Sequence, residues 1–428
     1  MRDFIEAAGP ALLSAQRWRG RVLLWLAGAS VGVAAVLFAR LADVAQAALR
    51  RVLVHSALWP FLLAPLGFFF IAWLTRNYFR GAEGSGIPQT IFCLQPQGEQ
   101  ATPLYMRTRI VVARILLAAL GLFCGGSIGR EGPTVHVGAA IAYGFGRWLP
   151  HRELAAQRRL LILAGGAAGV AAAFNTPLAG VMFGIEELSR SFEERASGVT
   201  LTTVVLAGIV AIALAGDYTY FGQPTVTADA GRLSLGTFAV AAASGLGGGL
   251  FSRLLLFSAR GLPSFIGRLQ ARHKIWFALC CGVLVALIGW LSGGLTYGSG
   301  YVEAKSIIES GAHLPWIYAP ARALATLLSY LSGVPCGLFA PSLSTGAGLG
   351  QLIAHLMGSA NEVAFAILGM CGFLAAVTQA PLTSLVIVME MTSEHQMVFP
   401  LATTVIIATG ISKLLSPPLY RALAARYV

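Results

Sequence analysis

An arginine and a glutamate lie inside Gly129-Arg130-Glu131-Gly132-Pro133, at the foot of a helix-forming run from Thr134 to Trp148, in a chain of 428 residues that is 56% hydrophobic and only 11% charged. A charge near the centre of a bilayer costs about 2.5–3.5 kcal/mol on insertion scales, so an acid kept there has a use and marks a functional site. Two other segments have the same build. Gly84-Ser85-Gly86-Ile87-Pro88 offers a hydroxyl beside glycines that allow close backbone approach, with a proline suited to a first helical turn. Gly337-Leu338-Phe339-Ala340-Pro341 repeats the Gly-x-x-x-Pro spacing. Helix N-termini present unpaired N–H groups and partial positive charge, so broken helices aimed at one point bind anions. A chamber of amides and hydroxyls without a fixed cation holds a small anion and still releases it.

The elements that must position these groups are membrane helices. Soluble domains are about 25% charged; this chain has a mean hydropathy of +0.73. Apolar stretches recur at Val22–Arg40, Val52–Leu74, Ile110–Phe123, Leu160–Phe174, Leu201–Ala215, Leu235–Phe257, Trp276–Leu291, Val363–Val377 and Val398–Leu415, several of them long enough to cross about 30 Å of hydrocarbon. The first run follows Arg17, Arg19 and Arg21 and is too long for a cleavable signal, so Met1–Arg19 is expected to form a surface helix. The six cysteines are scattered, without a Cys-x-x-Cys pair, and read as packing residues; no metal or cofactor is expected.

The formal charge of +12 does not point to nucleic acid, because it is distributed by side. Arg147, Arg152, Arg158 and Arg159 form one basic cluster, and Arg253, Arg260, Arg268, Arg272 and Lys274 another, whereas Gly216–Arg232 carries Asp217 and Asp229. The basic loops are expected in the cytoplasm and the acidic connector outside. For that parity to hold, the apolar stretch from Arg159 to Ser189 must leave the cytoplasmic side and return. Asn175-Thr176-Pro177 breaks it in the middle, since the residue before a proline is pushed out of helical geometry. Glu186 and Glu187 then lie near the cytoplasmic face.

The chain also repeats itself. Gly129, Pro133 and Gly138 align with Gly337, Pro341 and Gly346, an offset of 208 residues (129 to 337). Ala171-Ala172, Pro177-Leu178 and Glu186 align with Ala375-Ala376, Pro381-Leu382 and Glu390, an offset of 204 (171 to 375). Broken helices at corresponding positions of two repeats point to a transporter's substrate site. The residues alone leave open whether the repeats are inverted or parallel.

In order and spacing, Gly84–Pro88, Gly129–Pro133, Gly337–Pro341 and a late Pro418-Leu419-Tyr420 closely resemble the four anion-site segments of the CLC family of chloride channels and proton-coupled chloride antiporters. The resemblance runs from about Val22 to Tyr420. It implies an all-α polytopic membrane protein, an inverted-repeat bundle of tilted, broken and re-entrant helices. One transmembrane domain is expected over residues 1–428: a surface helix at 1–21, repeats at 22–215 and 235–420, and an external connector at 216–234. By the same resemblance Ser85 and Tyr420, with backbone amides of Leu338 and Phe339, bind chloride. Glu131 is implied as the gating and external proton glutamate, and Glu187 as the internal proton-transfer glutamate. Channel members commonly carry an apolar residue at the position of Glu187, so antiport is favoured. Chloride, protons and lipid are the expected partners, with a homodimer in a cell inner membrane and no nucleic acid. Gln89-Thr90 departs from the acidic residue many members carry there, as does Val334-Pro335-Cys336 from a Gly-Ala-Pro-Gly type of sequence. Only eight residues follow Tyr420, so no appended nucleotide-binding pair is expected.

Blander and rival alternatives exist for several of these groups. Glu131 could be a structural partner of Arg130, and Glu186 and Glu187 could face solvent at a helix end. Glu186, having a counterpart in Glu390, reads as the more structural of the two. Gly245, Gly247, Gly248 and Gly249 read as helix-packing contacts, and His136 as a packing or vestibule residue. A passive chloride channel of the same fold is the near rival. Gly125-Gly126-Ser127-Ile128-Gly129 matches a serine-nucleophile pattern, which makes an intramembrane hydrolase conceivable, but no strand-turn-helix surrounds it.

Overall fold

Apolar runs closed by glycine and opened by proline become helices. A computed structural model describes residues 15–149, 151–189, 194–216, 219–222, 224, 230–259, 272–394 and 396–427. The first repeat contains α1 (Ala15–His55), α2 (Pro60–Asn77), α3 (Ile87–Leu94), α4 (Thr102–Tyr105), α5 (Thr108–Phe123), α6 (Glu131–Phe145), α7 (His151–Phe174), α8 (Pro177–Phe183) and α9 (Glu194–Ala215). The second contains α10 (Ala230–Ala259), α11 (Lys274–Leu291), α12 (Tyr301–Ser310), α13 (Tyr318–Leu331), α14 (Phe339–Leu356), α15 (Glu362–Thr378), α16 (Pro381–Thr392), α17 (Val398–Leu415) and α18 (Leu419–Ala424). Among the described residues no strand occurs; the one β-type contact is an isolated bridge between Gly129 and Gly337.

Among the described residues, four helical stretches are long and apolar enough to cross a membrane, Gly20–His55, Leu235–Phe257, Lys274–Leu291 and Val398–Ala424. Others are short because the chain breaks them. Between α7 and α8 the backbone turns at Asn175, whose φ of 58° is left-handed, and α8 opens on Pro177. The same device returns between α15 and α16, with Gln379 at φ 56° and α16 opening on Pro381.

The orientation of the repeats follows from two reciprocal contacts. Glu186, past the end of α8, accepts the backbone N–H groups of Leu382 (3.2 Å) and Thr383 (2.7 Å) at the start of α16. Glu390, near the end of α16, accepts those of Leu178 (3.1 Å) and Ala179 (2.7 Å) at the start of α8. Each helix ends where the other begins, so α8 and α16 run antiparallel and the repeats are inverted. The Gly129–Gly337 bridge is antiparallel as well. Packing within the repeats matches: α6 lies on α7 through Gly138 against Gly165, and α14 on α15 through Gly346 against Gly369, contacts so close that a Cβ at any of these positions would strike backbone.

Several expectations shift in detail. Residues 1–14 lie outside the described residues, and from Ala15 the chain is already part of α1, so the expected surface helix of Met1–Arg19 is covered only at its end. Helix α10 begins at Ala230, inside the expected connector. Asp217, Asp229, Arg260 and Arg268, four of the charges used to assign sides, also lie outside the described residues. Arg158, expected in a loop, is buried within α7 and donates to the Cys93 carbonyl (2.6 Å) and the Thr102 hydroxyl (3.1 Å), closing the end of α3. The glycines of α10 pack as expected, Gly248 against Ala376 and Gly249 against Ser412 and Leu415. Cys93, Cys124, Cys281, Cys336 and Cys371 are buried.

The two glutamate caps lie at opposite ends of the α8–α16 pair. Glu186→Ala and Glu390→Ala are each expected to lower stability by about 1–2 kcal/mol, the scale of a lost helix cap, and the double variant by nearly their sum, because the sites are far apart. Denaturant unfolding in detergent, followed by tryptophan emission, checks both the size and the additivity.

Candidate functional site

Three Gly-Pro elements and one tyrosine converge in the interior. Gly129 and Gly337 exchange both backbone hydrogen bonds, N–H to O at 2.9 Å one way and 3.0 Å the other. This sets the N-terminus of α6 directly against that of α14. A Cβ on Gly129 would lie 2.6 Å from Glu131 Oε2 and 3.0 Å from Pro341 Cδ, and one on Gly337 2.5 Å from Gly129 O and 3.0 Å from Pro133 Cδ, so neither position has room for a side chain. The Gly84–Pro88 element joins them: Cys336 N–H donates to the Gly84 carbonyl (3.2 Å), and a Cβ on Gly132 would come within 2.6 Å of Ser85 Oγ. Tyr420 completes the ring of contacts, its phenol stacked on Phe339 at 6.1 Å and 21° between planes.

The hydroxyls of Ser85 and Tyr420 are fully buried and lie close to one another. Leu338 and Phe339, also buried, stand at the first turn of α14, where N–H groups have no partner within the helix. Ser85, Leu338, Phe339 and Tyr420 are therefore neighbours, as expected. The arrangement offers two hydroxyl donors and a helix N-terminus to one small volume, a donor set suited to an anion.

Glu131 lies on the other side of α14's first turn. It is 1% exposed, and its Oε2 accepts from Ala340 N–H at 3.4 Å. A carboxylate oxygen thus occupies an amide at the start of α14. Arg130 turns to Ala39 O (2.9 Å) and Asp43 Oδ1 (3.0 Å) on α1. The counterpart of Glu131 in the second repeat is Phe339, so the backbone frame is symmetric and the acid is on one side only.

Glu187 lies in a π-helical turn, Gly184–Ser189, and is 1% exposed; it does not face solvent. It is within electrostatic reach of Tyr420. Its neighbour Glu186 points to the start of α16 instead, so two adjacent acids diverge, one structural and one turned toward the interior.

Ala340 and Arg114 belong to the site and were not singled out from sequence. Arg114, fully buried on α5, donates to the carbonyls of Gly81 (2.6 Å) and Gly84 (3.2 Å), and Gln89 donates to that of Glu83 (2.7 Å). Both pin the loop that presents Ser85, which gives the unusual Gln89 a structural role. An isolated arginine in an apolar run was the available signal for Arg114. His136 is buried beside Arg114 and Gly86 as a packing residue. Ser127 is buried too, with its hydroxyl engaged by Thr326 (2.8 Å) and Arg322 (3.3 Å) in place of a histidine, which leaves no basis for a nucleophile.

A family model described as voltage gated chloride channel matches residues 67–413. The fold is similar to that of a slow cyanobacterial Cl−/H+ antiporter, with a TM-score of 0.80 and 25% identity over 96% of this chain and 98% of that one. It is also similar to a eukaryotic CLC transporter (TM-score 0.78, 23% identity, 96% of this chain and 74% of that one) and to a CLC-type fluoride/proton antiporter (TM-score 0.76, 23% identity, 94% and 97%).

Proposed function

From the premise that this chain belongs to the voltage-gated chloride channel family, and so is a membrane transporter and not an enzyme, we propose that it exchanges chloride for protons, Glu131 acting as the protonatable gate. The observation that carries the proposal is the Glu131 carboxylate seated on the Ala340 amide beside the neighbouring Ser85 and Tyr420 hydroxyls. An ionised carboxylate there competes with the anion for the same N–H group; protonation removes the charge and frees the amide. Anion passage and proton uptake then alternate at one residue. Chloride is held centrally by Ser85, Tyr420 and the amides of Leu338 and Phe339.

Exchange, as opposed to passive conduction, is supported by Glu187. A second buried acid within reach of Tyr420 has no role in a channel that passes anions alone, and burying it is costly unless it serves. Protons reach Glu131 from the cytoplasmic side by way of Glu187 in this proposal. A homodimer with one pathway per subunit, in a cell inner membrane, completes the proposal. No cofactor takes part.

In vesicles holding a chloride gradient, protons are expected to move uphill; a reversal potential that follows chloride alone would leave a passive channel. Glu131→Gln is expected to keep chloride flux and lose proton transport at least tenfold, and Glu187→Gln to lose proton transport while sparing chloride. Proton coupling retained in either variant removes that residue from the relay. Ser85→Pro is expected to shift preference from chloride toward nitrate severalfold, read from the anion dependence of the reversal potential; an unchanged ranking assigns selectivity to the backbone.

A further inference from the structure

The connector between the repeats, expected to be an external link, returns to the site. Tyr220 is 2% exposed, and the segment is held at two points: Phe221 N–H donates to Met391 O (2.9 Å), and the Tyr301 hydroxyl donates to Tyr220 O (2.9 Å). Its ring packs edge-on against Phe174 (5.8 Å) and Tyr301 (4.7 Å). The Arg130 guanidinium covers the ring at 5.9 Å and is itself tied to Asp43. Arg130 is the chain neighbour of Glu131, so its stacking on Tyr220 brings the phenol next to the Glu131 carboxylate. On its other side Tyr220 lines a cavity of about 460 Å³ that also contains Asp43, Gln46, Arg50 and Tyr301. Tyr220 therefore stands between that vestibule and the glutamate.

We propose that Tyr220 is a positioning residue for the gate: its hydroxyl donates to the ionised Glu131 and, together with the Ala340 amide, holds the carboxylate in the anion's place. The two donors come from different parts of the chain, the first turn of α14 and the connector. A carboxylate that leaves the Ala340 amide must also leave the phenol, so Tyr220 sets how long the gate stays closed. Arg130, by covering the ring, and Tyr301, by fixing the backbone, keep the hydroxyl aimed. Asp43 holds Arg130 in turn. The charged or titratable groups around the phenol are Glu131, Arg130, Asp43 and Tyr301, with Arg50 across the cavity.

This inference rests on Glu131 being the gate, and the test separates the two. Tyr220→Phe keeps the ring with its packing and removes only the hydroxyl. In reconstituted vesicles at symmetric neutral pH it is expected to raise chloride flux about ten- to a hundredfold, the scale of one hydrogen bond to a charged group. Placed in a Glu131→Ala background, where no carboxylate is left to hold, the same substitution is expected to change nothing. Equal acceleration in both backgrounds makes Tyr220 a steric plug and overturns the proposal, as does an unchanged rate in the wild-type background. If Glu131→Ala alone leaves proton coupling intact, the gate itself fails and the latch falls with it.

Discussion

The pair of backbone hydrogen bonds between Gly129 and Gly337 is the constraint on which the remainder depends. Two helix N-termini, each with unpaired N–H groups and partial positive charge, are brought together inside an apolar medium. Neither could sit there alone, because unpaired backbone in hydrocarbon costs several kcal/mol per group. The mutual pair satisfies one donor and one acceptor from each element, and the prolines, which have no N–H group, reduce the number left over. Of the donors that remain on α14, the Ala340 amide is met by the Glu131 carboxylate. The site is thus built around donors the fold must find partners for.

Inversion is what makes this possible. A parallel arrangement of the repeats would leave the two Gly-x-x-x-Pro elements entering from the same face, with their N-termini side by side and no antiparallel pair to form. The crossed caps of Glu186 and Glu390 are the same solution further out: each helix start lies beside the other helix's end, and each end carries a glutamate. Facing glycines at 138 and 165, and again at 346 and 369, let the helices behind both elements approach to backbone contact. Three layers of the structure therefore obey one pseudo-twofold axis, although the two halves share few side chains.

Much of this was legible because it depends on glycine, proline and acid placement. Asn175-Thr176-Pro177 announced a break, and the structure has one there with its repeat at Gln379; the offset pattern marked Glu186 as a structural acid, which its partners on α16 bear out. What was hidden depends on folding back in space. Tyr220 lies in a connector whose composition suggested only an external link, and nothing in its neighbours signals a return to the core. Arg158 belongs to a basic cluster by sequence but turns inward, because the end of α3 offers it a carbonyl and a hydroxyl. The π-turn that carries Glu186 and Glu187 is equally silent, since one extra residue per turn leaves no mark on composition. The orientation of the repeats was undecidable until those contacts were seen.

The asymmetry laid over the symmetric frame has its own logic. If both repeats carried an acid at the position of Glu131, two carboxylates would face one small volume, and their repulsion would keep one of them neutral at ordinary pH. A single acid opposite Phe339 avoids that, and the aromatic ring gives Tyr420 a flat surface to stack on, which fixes its hydroxyl near Ser85. Conduction also requires an ion to be held firmly enough to enter and loosely enough to leave. Hydroxyls and amides satisfy both conditions, whereas a lysine or arginine at the centre would bind too long. The buried cation nearest the Ser85 element, Arg114, accordingly spends its donors on the carbonyls of Gly81 and Gly84, so that it shapes the loop presenting the serine and leaves the hydroxyl free to act.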